Sequence, residues 1–356
     1  MPSIRIAAAF ALLMLAAAAS AGVRIVPQQS GVDVRLRGIS AVDGDVAWAS
    51  GAEGTVLRTL NGGRNWQRVV VPGAHELDFR DIEAFDADTA IVLAIGPGES
   101  SRVYRTADGG GTWQRVLQNR DPRAFFDCMV FDGQRGWLLG DPVESRFQVY
   151  ATGNGGRDWT LLPHGPQAVD GEAAFAASGT CIARAGTTLA VATGGARSGI
   201  HFHSDGATGW AQVAAGFEAG AESKGVFSIA PAAQSGDFIA VGGDFRAEQT
   251  AADAAKFVVA GVIAGTGEAG VGNNASEPAI AAGFVATPLP ATPGYRSGVA
   301  CADAACVAVG PSGVDAWDGI AWAPVSTAGY DAIDIAGGVG WASGDDGRIA
   351  RIEIVD

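Results

Sequence analysis

The sequence has few basic residues and few charges of either sign. Lys and Arg number 24 against 38 Asp and Glu, and charged residues make up only 17% of the 356 residues. The formal net charge is −14. A field of that sign repels nucleic acid phosphates and anionic lipid surfaces. We therefore expect neither as a partner.

Long apolar runs and cofactor motifs are also scarce. The apolar stretch at residues 6–15 is too short to span a bilayer, which needs roughly 20 residues. Later stretches are shorter still, so no transmembrane segment is predicted. The chain has no GxGxxG motif in a βαβ pattern, no CxxCH and no CxxC zinc spacing. We therefore expect no cofactor and no metal.

The N-terminal segment has the pattern of a secretory signal peptide. Arg5 precedes the apolar stretch, and Ala19-Ser20-Ala21 fits an A-x-A cleavage site. Residues 1–21 are thus predicted to be a signal peptide. The mature chain, residues 22–356, is predicted to be a single domain that is periplasmic or secreted.

A short apolar strand that ends in glycine recurs seven times. The marker glycines are Gly51, Gly96, Gly140, Gly194, Gly242, Gly310 and Gly344. Their mean spacing of about 49 residues is typical of four-stranded propeller blades. The pattern predicts an all-β, seven-bladed β-propeller of four-stranded antiparallel blades. The last blade lacks one strand, and residues 23–26 are predicted to supply it and close the ring.

A second motif, Thr-x-Asx-Gly-Gly-x-x-Trp, occurs at residues 59–66, 106–113 and 152–159. An Asx side chain can accept hydrogen bonds from amides across a turn, and glycine adopts the positive φ that such turns need. The motif resembles the Asp-box (BNR) turn of sialidase-like propellers, which lies on the blade periphery. We therefore predict structural roles for its polar and aromatic residues: Asn61, Trp66, Asp108, Trp113, Asn154 and Trp159.

One repeat is longer than the others and lacks this turn. The extra length predicts an insertion at residues 247–293, with a loop-rich part at 265–293. Loops of that length are usually either functional or disordered. The sequence leaves both interpretations open.

The mature chain as a whole resembles bacterial propellers related to the photosystem II stability and assembly factor. Besides the three turns, the matching segments are Gly38-Ile-Ser, Phe125-Phe-Asp, Phe175 with Ser178-Gly-Thr, Val241-Gly-Gly-Asp-Phe245 and Gly294-Tyr-Arg-Ser. The resemblance implies an exported, seven-bladed, non-enzymatic protein. It also implies a chaperone-like scaffold that binds partly assembled membrane proteins.

Six charged residues fall at the predicted start of an innermost strand, where a propeller's channel opens. They are Arg37, Arg80, Asp127, Lys224, Arg296 and Asp331. The planar guanidinium of arginine suits carboxylate or phosphate, and aspartates can orient it. One interpretation is a binding site for an anion or an acidic peptide. The other is a set of ion pairs that tie blade to blade.

Four cysteines in an exported protein favour disulfides. Cys301 and Cys306 flank a predicted hairpin turn, which favours a bridge between them. Cys128 and Cys181 occupy equivalent places in adjacent blades, so either a second bridge or two buried thiols would fit. His201 and His203 lie on one face of a strand, which we expect to be solvated rather than to bind metal.

A glycoside hydrolase of the sialidase-like type is the alternative function. Such an enzyme would need an arginine cluster and a tyrosine nucleophile backed by glutamate, or a carboxylate pair. Only Tyr295 and Tyr330 reach the predicted channel mouth, and neither has a glutamate near it in sequence. We therefore predict a non-catalytic, monomeric binding protein whose partner is another protein or an acidic peptide.

Overall fold

The computed structural model describes residues 22–232, 236–259, 283–302 and 305–355. The predicted signal peptide and residues 260–282 of the predicted insertion lie outside these ranges. The described chain forms 29 strands and one short 3₁₀ turn, Gly98–Ser100. Within these ranges, no helix is long and apolar enough to cross a membrane.

The first strand, β1 (Gly22–Gln28), pairs with the end of the chain. Three four-stranded antiparallel sheets of consecutive strands follow it. The first contains β2 (Leu36–Ala41), β3 (Ala47–Gly51), β4 (Thr55–Thr59) and β5 (Gln67–Val70). The second contains β6 (Asp78–Ala84), β7 (Ala90–Ile95), β8 (Arg102–Thr106) and β9 (Gln114–Gln118). The third contains β10 (Phe126–Asp132), β11 (Arg135–Val143), β12 (Arg146–Thr152) and β13 (Thr160–Leu161).

The next nine strands form one larger sheet. Its strands are β14 (Glu172–Ala173), β15 (Ile182–Ala185), β16 (Thr188–Gly195), β17 (Gly199–Ser204), β18 (Ala211–Ala214), β19 (Ala221–Pro231), β20 (Phe238–Asp244), β21 (Ala252–Val259) and β22 (Phe284–Thr292). Strands β15–β18 and β19–β22 are two antiparallel runs of four. A short pairing of β16 with β19 joins them, and β14 pairs with β16.

Two more four-stranded sheets complete the described chain. One contains β23 (Gly298–Ala302), β24 (Ala305–Gly310), β25 (Gly313–Trp317) and β26 (Trp322–Ser326). The other contains β27 (Ala332–Ala336), β28 (Val339–Ser343) and β29 (Ile349–Val355), with β1 as its outer strand. All seven residues of β1 pair with β29, from Gly22 opposite Val355 to Gln28 opposite Ile349.

The first strands of successive runs lie side by side. In chain order, β2, β6, β10, β15, β19, β23 and β27 each contact the next, and β27 contacts β2. The core lies between neighbouring sheets: Trp48 of the first sheet, for example, packs with Phe79 and Val92 of the second. The middle strands are covered on both faces, which explains their nearly continuous apolar sequences.

Side chains on or directly beside the first strands hydrogen-bond to neighbouring first strands. Ser40 Oγ accepts the Ala84 amide at 3.0 Å, and Asp81 Oδ2 accepts the Met129 amide at 2.6 Å. Similar bonds join Ser228 to Val299, Ser297 to Asp331, and Asp334 to Ala41. These bonds hold the inner strands of neighbouring sheets in register.

The predicted Cys301–Cys306 disulfide is present, and of the two alternatives left open for Cys128 and Cys181 the structure has the bridge. Cys128 of β10 is bonded to Cys181, which directly precedes β15, with Cα atoms 6.0 Å apart. Both sulfurs are buried. Cys301 of β23 is bonded to Cys306 of β24, with Cα atoms 4.0 Å apart. The first bridge therefore joins two neighbouring sheets and the second joins two strands of one sheet.

The three predicted turns share one geometry. In the second, the Thr106 hydroxyl accepts the Gly110 amide at 2.9 Å and Asp108 Oδ1 accepts the Thr112 amide at 2.8 Å. The equivalent threonine and Asx residues make the same contacts in the other two turns. Both glycines of each pair have positive φ. The turn chemistry therefore accounts for the motif.

The expectation of a solvated histidine face is wrong for His201. Its side chain is buried, and its Nε2 lies 3.1 Å from Glu172 Oε1. The same carboxylate also contacts Arg197 and Thr193. This acidic partner, Glu172, belongs to β14 and lies 29 residues before His201, so the sequence around the histidine did not reveal it.

Candidate functional site

A cavity of about 240 Å³ opens where the first strands begin. Its wall combines three arginines, four aromatic side chains and two carboxylates. The arginines are on or beside β2 and β6, and the aromatic residues are on or near β14, β19, β20 and β23. Residues distant in sequence therefore meet at one end of the inner strands.

Three of the six predicted charged residues line this cavity: Arg37, Arg80 and Asp331. The other three lie elsewhere. Arg296 is buried and bonded to Asp315 at 2.6 Å, while Lys224 is bonded to Glu218 at 2.6 Å.

Asp127, the third of these, is also buried, and its Oδ2 has no hydrogen-bond partner within the described ranges. Burial, followed by repulsion from Asp141, raises the pKa of its carboxyl well above the usual range. Burial likewise raises the pKa of Asp141 to about 6. This acidic pair is separate from the cavity.

The cavity arginines differ in how well they are paired. Arg35 makes a two-pronged contact with Asp331, at 2.7 and 2.8 Å. Arg80 donates to Asp78 at 2.8 Å and to a backbone carbonyl at 3.0 Å. Arg37 makes no hydrogen bond to any described residue, and its nearest carboxylate oxygen, on Asp331, is 3.5 Å away. Arg37 thus has spare donors.

The pKa directions reflect this difference. Burial, followed by repulsion from Arg80, lowers the pKa of the Arg37 guanidinium to about 10. The hydrogen bonds to Asp331 raise the pKa of Arg35. Both groups are charged at neutral pH, but Arg37 holds its charge in a desolvated and repulsive setting.

The opposite wall of the cavity is aromatic. Phe175 stacks on Phe227 with ring centroids 3.7 Å apart, and Tyr295 meets Phe227 edge to face at 4.8 Å. Phe245 packs against the same ring at 6.1 Å, yet 41% of its surface is exposed. A ligand would therefore meet cations on one side and an apolar wall on the other.

Carboxyl groups lie farther along the same first strands. Burial raises the pKa of Asp81, Glu83 and Asp334. Repulsion from Asp334 further raises the pKa of Asp81, and repulsion from Asp81 and Asp334 further raises that of Glu83. The bonds from Ala84 to Ser40 and from Ala41 to Asp334 place the ends of these strands together. The cavity arginines therefore lie where β2 and β6 begin, whereas these buried carboxyl groups lie farther along β6 and β27.

Sequence reasoning missed Arg35 and the aromatic wall as parts of the site. Alternation along an extended strand places Arg35 on the same side as Arg37, so the signal was present. Phe175, Phe245 and Tyr295 stand in segments that carried the family resemblance. Phe227 had no comparable signal.

No family model matches the sequence, and no curated protein matches it significantly. Solved structures do match. A structure of YCF48 bound to a D1 peptide has a TM-score of 0.62 at 12% identity, covering 94% of this chain and 97% of that one. The structure of YCF48 from Cyanidioschyzon merolae has a TM-score of 0.61 at 18% identity, covering 93% of this chain and 98% of that one.

A computationally designed protein, Ika8, gives a TM-score of 0.51 at 11% identity, covering 94% of this chain and 100% of that one. At such identities the likeness concerns the fold alone. The chain has the propeller fold of the photosystem II assembly-factor proteins, as its sequence resemblance predicted.

Proposed function

We propose that the mature chain is a non-catalytic, exported binding protein that holds a protein or acidic-peptide partner at the channel mouth. Its role would be that of a scaffold or assembly factor for membrane or exported proteins. The observation that carries the proposal is the cationic cavity with an aromatic wall, in a protein of net charge −14. Arginine and aromatic side chains dominate the energetics of many protein interfaces.

The proposal includes a closed ring of seven four-stranded blades in one domain, with β1 completing the last blade. The side-by-side contacts of the seven first strands support it, as does the pairing of β1 with β29. The signal-like N-terminus and two disulfides support export to the periplasm or beyond. The YCF48 structure with a bound D1 peptide supports a peptide partner.

A sialidase-like hydrolase is the second candidate, because Glu248 lines the same cavity as Tyr295 and the three arginines. Two observations weigh against it. The Tyr295 hydroxyl makes no hydrogen bond to Glu248 or to any other described residue. Burial also raises the pKa of Tyr295, whereas a phenol nucleophile needs activation.

The binding proposal is tested by affinity capture from periplasm and solubilised membranes, with the mature chain as bait. We expect the double variant Arg37→Gln/Arg80→Gln to lose most of the captured partner, because the cavity loses two cations. The matched control is Arg157→Gln, which changes an exposed arginine on a turn. Circular dichroism verifies that all three proteins are folded.

Equal capture by the wild type and the double variant would contradict a binding role for the cavity. A fluorogenic sialoside provides the other arm of the test. We expect no turnover. Turnover that disappears in Tyr295→Phe would replace the binding proposal with the hydrolase.

A further inference from the structure

We propose that the cavity binds the free C-terminal carboxylate of a polypeptide whose last side chain is aromatic. This inference rests on the function proposed above and specifies the chemical group that the site recognises. It follows from three properties of the cavity: a cation with free hydrogen-bond donors, an apolar wall and a small volume.

The cation with free hydrogen-bond donors is Arg37. The carboxylate of Asp331 already receives two hydrogen bonds from Arg35, and Arg80 is bonded to Asp78. Arg37 makes no hydrogen bond to a described residue and shares Asp331 only through a 3.5 Å ion pair, although only 16% of its side chain is exposed. A desolvated guanidinium with free donors and a neighbouring cation favours an incoming carboxylate, which it can bind through two parallel N–H···O bonds.

The aromatic wall selects what the carboxylate is attached to. The stacked pair Phe175 and Phe227 presents ring edges and faces near the arginines, and Phe245 leaves an exposed ring surface at the same opening. Offset and edge-to-face contacts between aromatic rings add to the gain from area burial. A ring on the ligand would therefore be favoured over a polar side chain.

The volume limits how much of the ligand can enter. At about 240 Å³ the cavity is smaller than the roughly 300–1,000 Å³ of sites that enclose drug-sized ligands. It suits a single residue rather than a folded segment. An internal aspartate or glutamate offers a carboxylate without a ring, and an internal aromatic residue offers a ring without a carboxylate. A C-terminal aromatic residue carries both on one Cα.

Tyr295 and Glu248 place polar groups in the wall of the cavity. The Tyr295 ring is buried beside Phe227, and its hydroxyl has no partner among the described residues, so it can donate to a ligand oxygen. Glu248 is exposed at the opening. It would repel a second acidic group on the peptide and accept a hydrogen bond from the peptide backbone.

The test is calorimetric titration of the mature chain with three synthetic hexapeptides that differ only at the C-terminus. One ends in phenylalanine with a free carboxylate, one in phenylalanine amide and one in alanine with a free carboxylate. We expect the first to bind at least tenfold more tightly than the amide, since the amide removes the charge that Arg37 binds. We expect the alanine peptide to bind several-fold more weakly than the first.

Two variants and a control assign the effect to the cavity. Arg37→Met keeps the apolar stem but removes the guanidinium, and should abolish the preference for the free acid over the amide. Phe245→Ala changes an exposed ring and should reduce the preference for phenylalanine over alanine. Arg157→Gln should alter neither ratio. Thermal unfolding verifies that each variant is folded.

Equal affinity for the free acid and the amide would overturn the inference, as would an unchanged preference in Arg37→Met. Tighter binding of free sialic acid than of any peptide would also overturn it. These failures are distinct from failure of the proposed function. If partner capture depends on Arg37 and Arg80 while the acid and amide peptides bind alike, the binding role stands and only the terminal-carboxylate inference is lost.

Discussion

The buried carboxyl group of Asp127 shows how a single residue can make stability depend on pH. One of its oxygens is unpaired within the described ranges, and its pKa is raised by burial and by Asp141. In an unfolded chain the same group has a pKa of about 3.9. A carboxyl whose folded pKa is raised contributes its full stability below the unfolded pKa, and that contribution is lost as pH rises through the folded value.

We therefore predict that Asp127→Asn flattens the pH dependence of the free energy of unfolding. Relative to the wild type, the variant should gain stability as pH rises from about 4 towards 8, because it has no proton to lose. Urea denaturation at several pH values measures this. The exposed Asp170→Asn is the control, and its profile should follow the wild type. Parallel profiles for Asp127→Asn and the wild type would refute the prediction.

Whether a charged residue faces the cavity was only partly predictable from the sequence. Arg37 and Arg80 line it, but Arg296 turns towards Asp315 instead. Several first strands contain a register shift near their start, for instance between Phe79 and Asp81 and between Phe126 and Cys128. A β-bulge changes the direction of the side chains after it, so counting positions back from a glycine cannot determine which face a residue occupies.

The glycine pairs of the three turns also act between sheets. A Cβ added at Gly110 would lie 1.9 Å from Val69 Cγ1 of the preceding sheet, and one at Gly156 would lie 2.2 Å from Ile91 Cδ1. Each turn therefore packs closely against its neighbour. The turns themselves were predictable because their threonine, Asx and glycine chemistry is local. The contact with the next sheet was not, because it depends on how sheets pack.

We predict that Gly110→Ala destabilises the fold more than Gly133→Ala does. Both glycines have positive φ, where alanine costs about 1–2 kcal/mol. Gly133 has open space around the added methyl group, whereas Gly110 meets Val69 and should cost about 1–3 kcal/mol more. Urea denaturation of the two variants measures the difference.

A second substitution tests the cause. In the Gly110→Ala background, Val69→Ala should cost less than it does in the wild type, because it removes the methyl group that clashes. Additive effects of the two substitutions would show that the steric explanation is wrong.

At the scale of the whole molecule, the repeated marker glycines predicted most of the strand arrangement. The marker glycines Gly51, Gly140, Gly194, Gly242 and Gly310 each end or lie in the second strand of a run of four, while Gly96 directly follows β7 and Gly344 directly follows β28. The pattern is regular because the middle strands of each unit are covered on both faces and therefore need similar apolar sequences. The joining of β16 to β19 was not foreseen, since it depends on backbone contacts around Gly194 and Gly225.

Among the proposals about the whole molecule, closure of the last sheet by β1 has the largest expected effect on stability and on self-association. A chain that begins at Gln29 would lack β1 and leave the ladder of β29 unpaired over seven residues. An exposed edge of that length promotes pairing with other chains. We predict that this truncated protein has a lower unfolding midpoint than the chain that begins at Gly22 and forms dimers or aggregates. Thermal unfolding and light scattering measure both effects.

A matched control separates loss of the strand from loss of its surface charge. Arg24→Ser in the chain that begins at Gly22 removes an exposed ion pair with Glu353 but keeps the β1 backbone, and exposed pairs contribute little. This variant should remain monodisperse with a nearly unchanged midpoint. If the truncated chain were equally monodisperse and stable, β1 would be dispensable and the outer edge of the last sheet would not need it to close the ring.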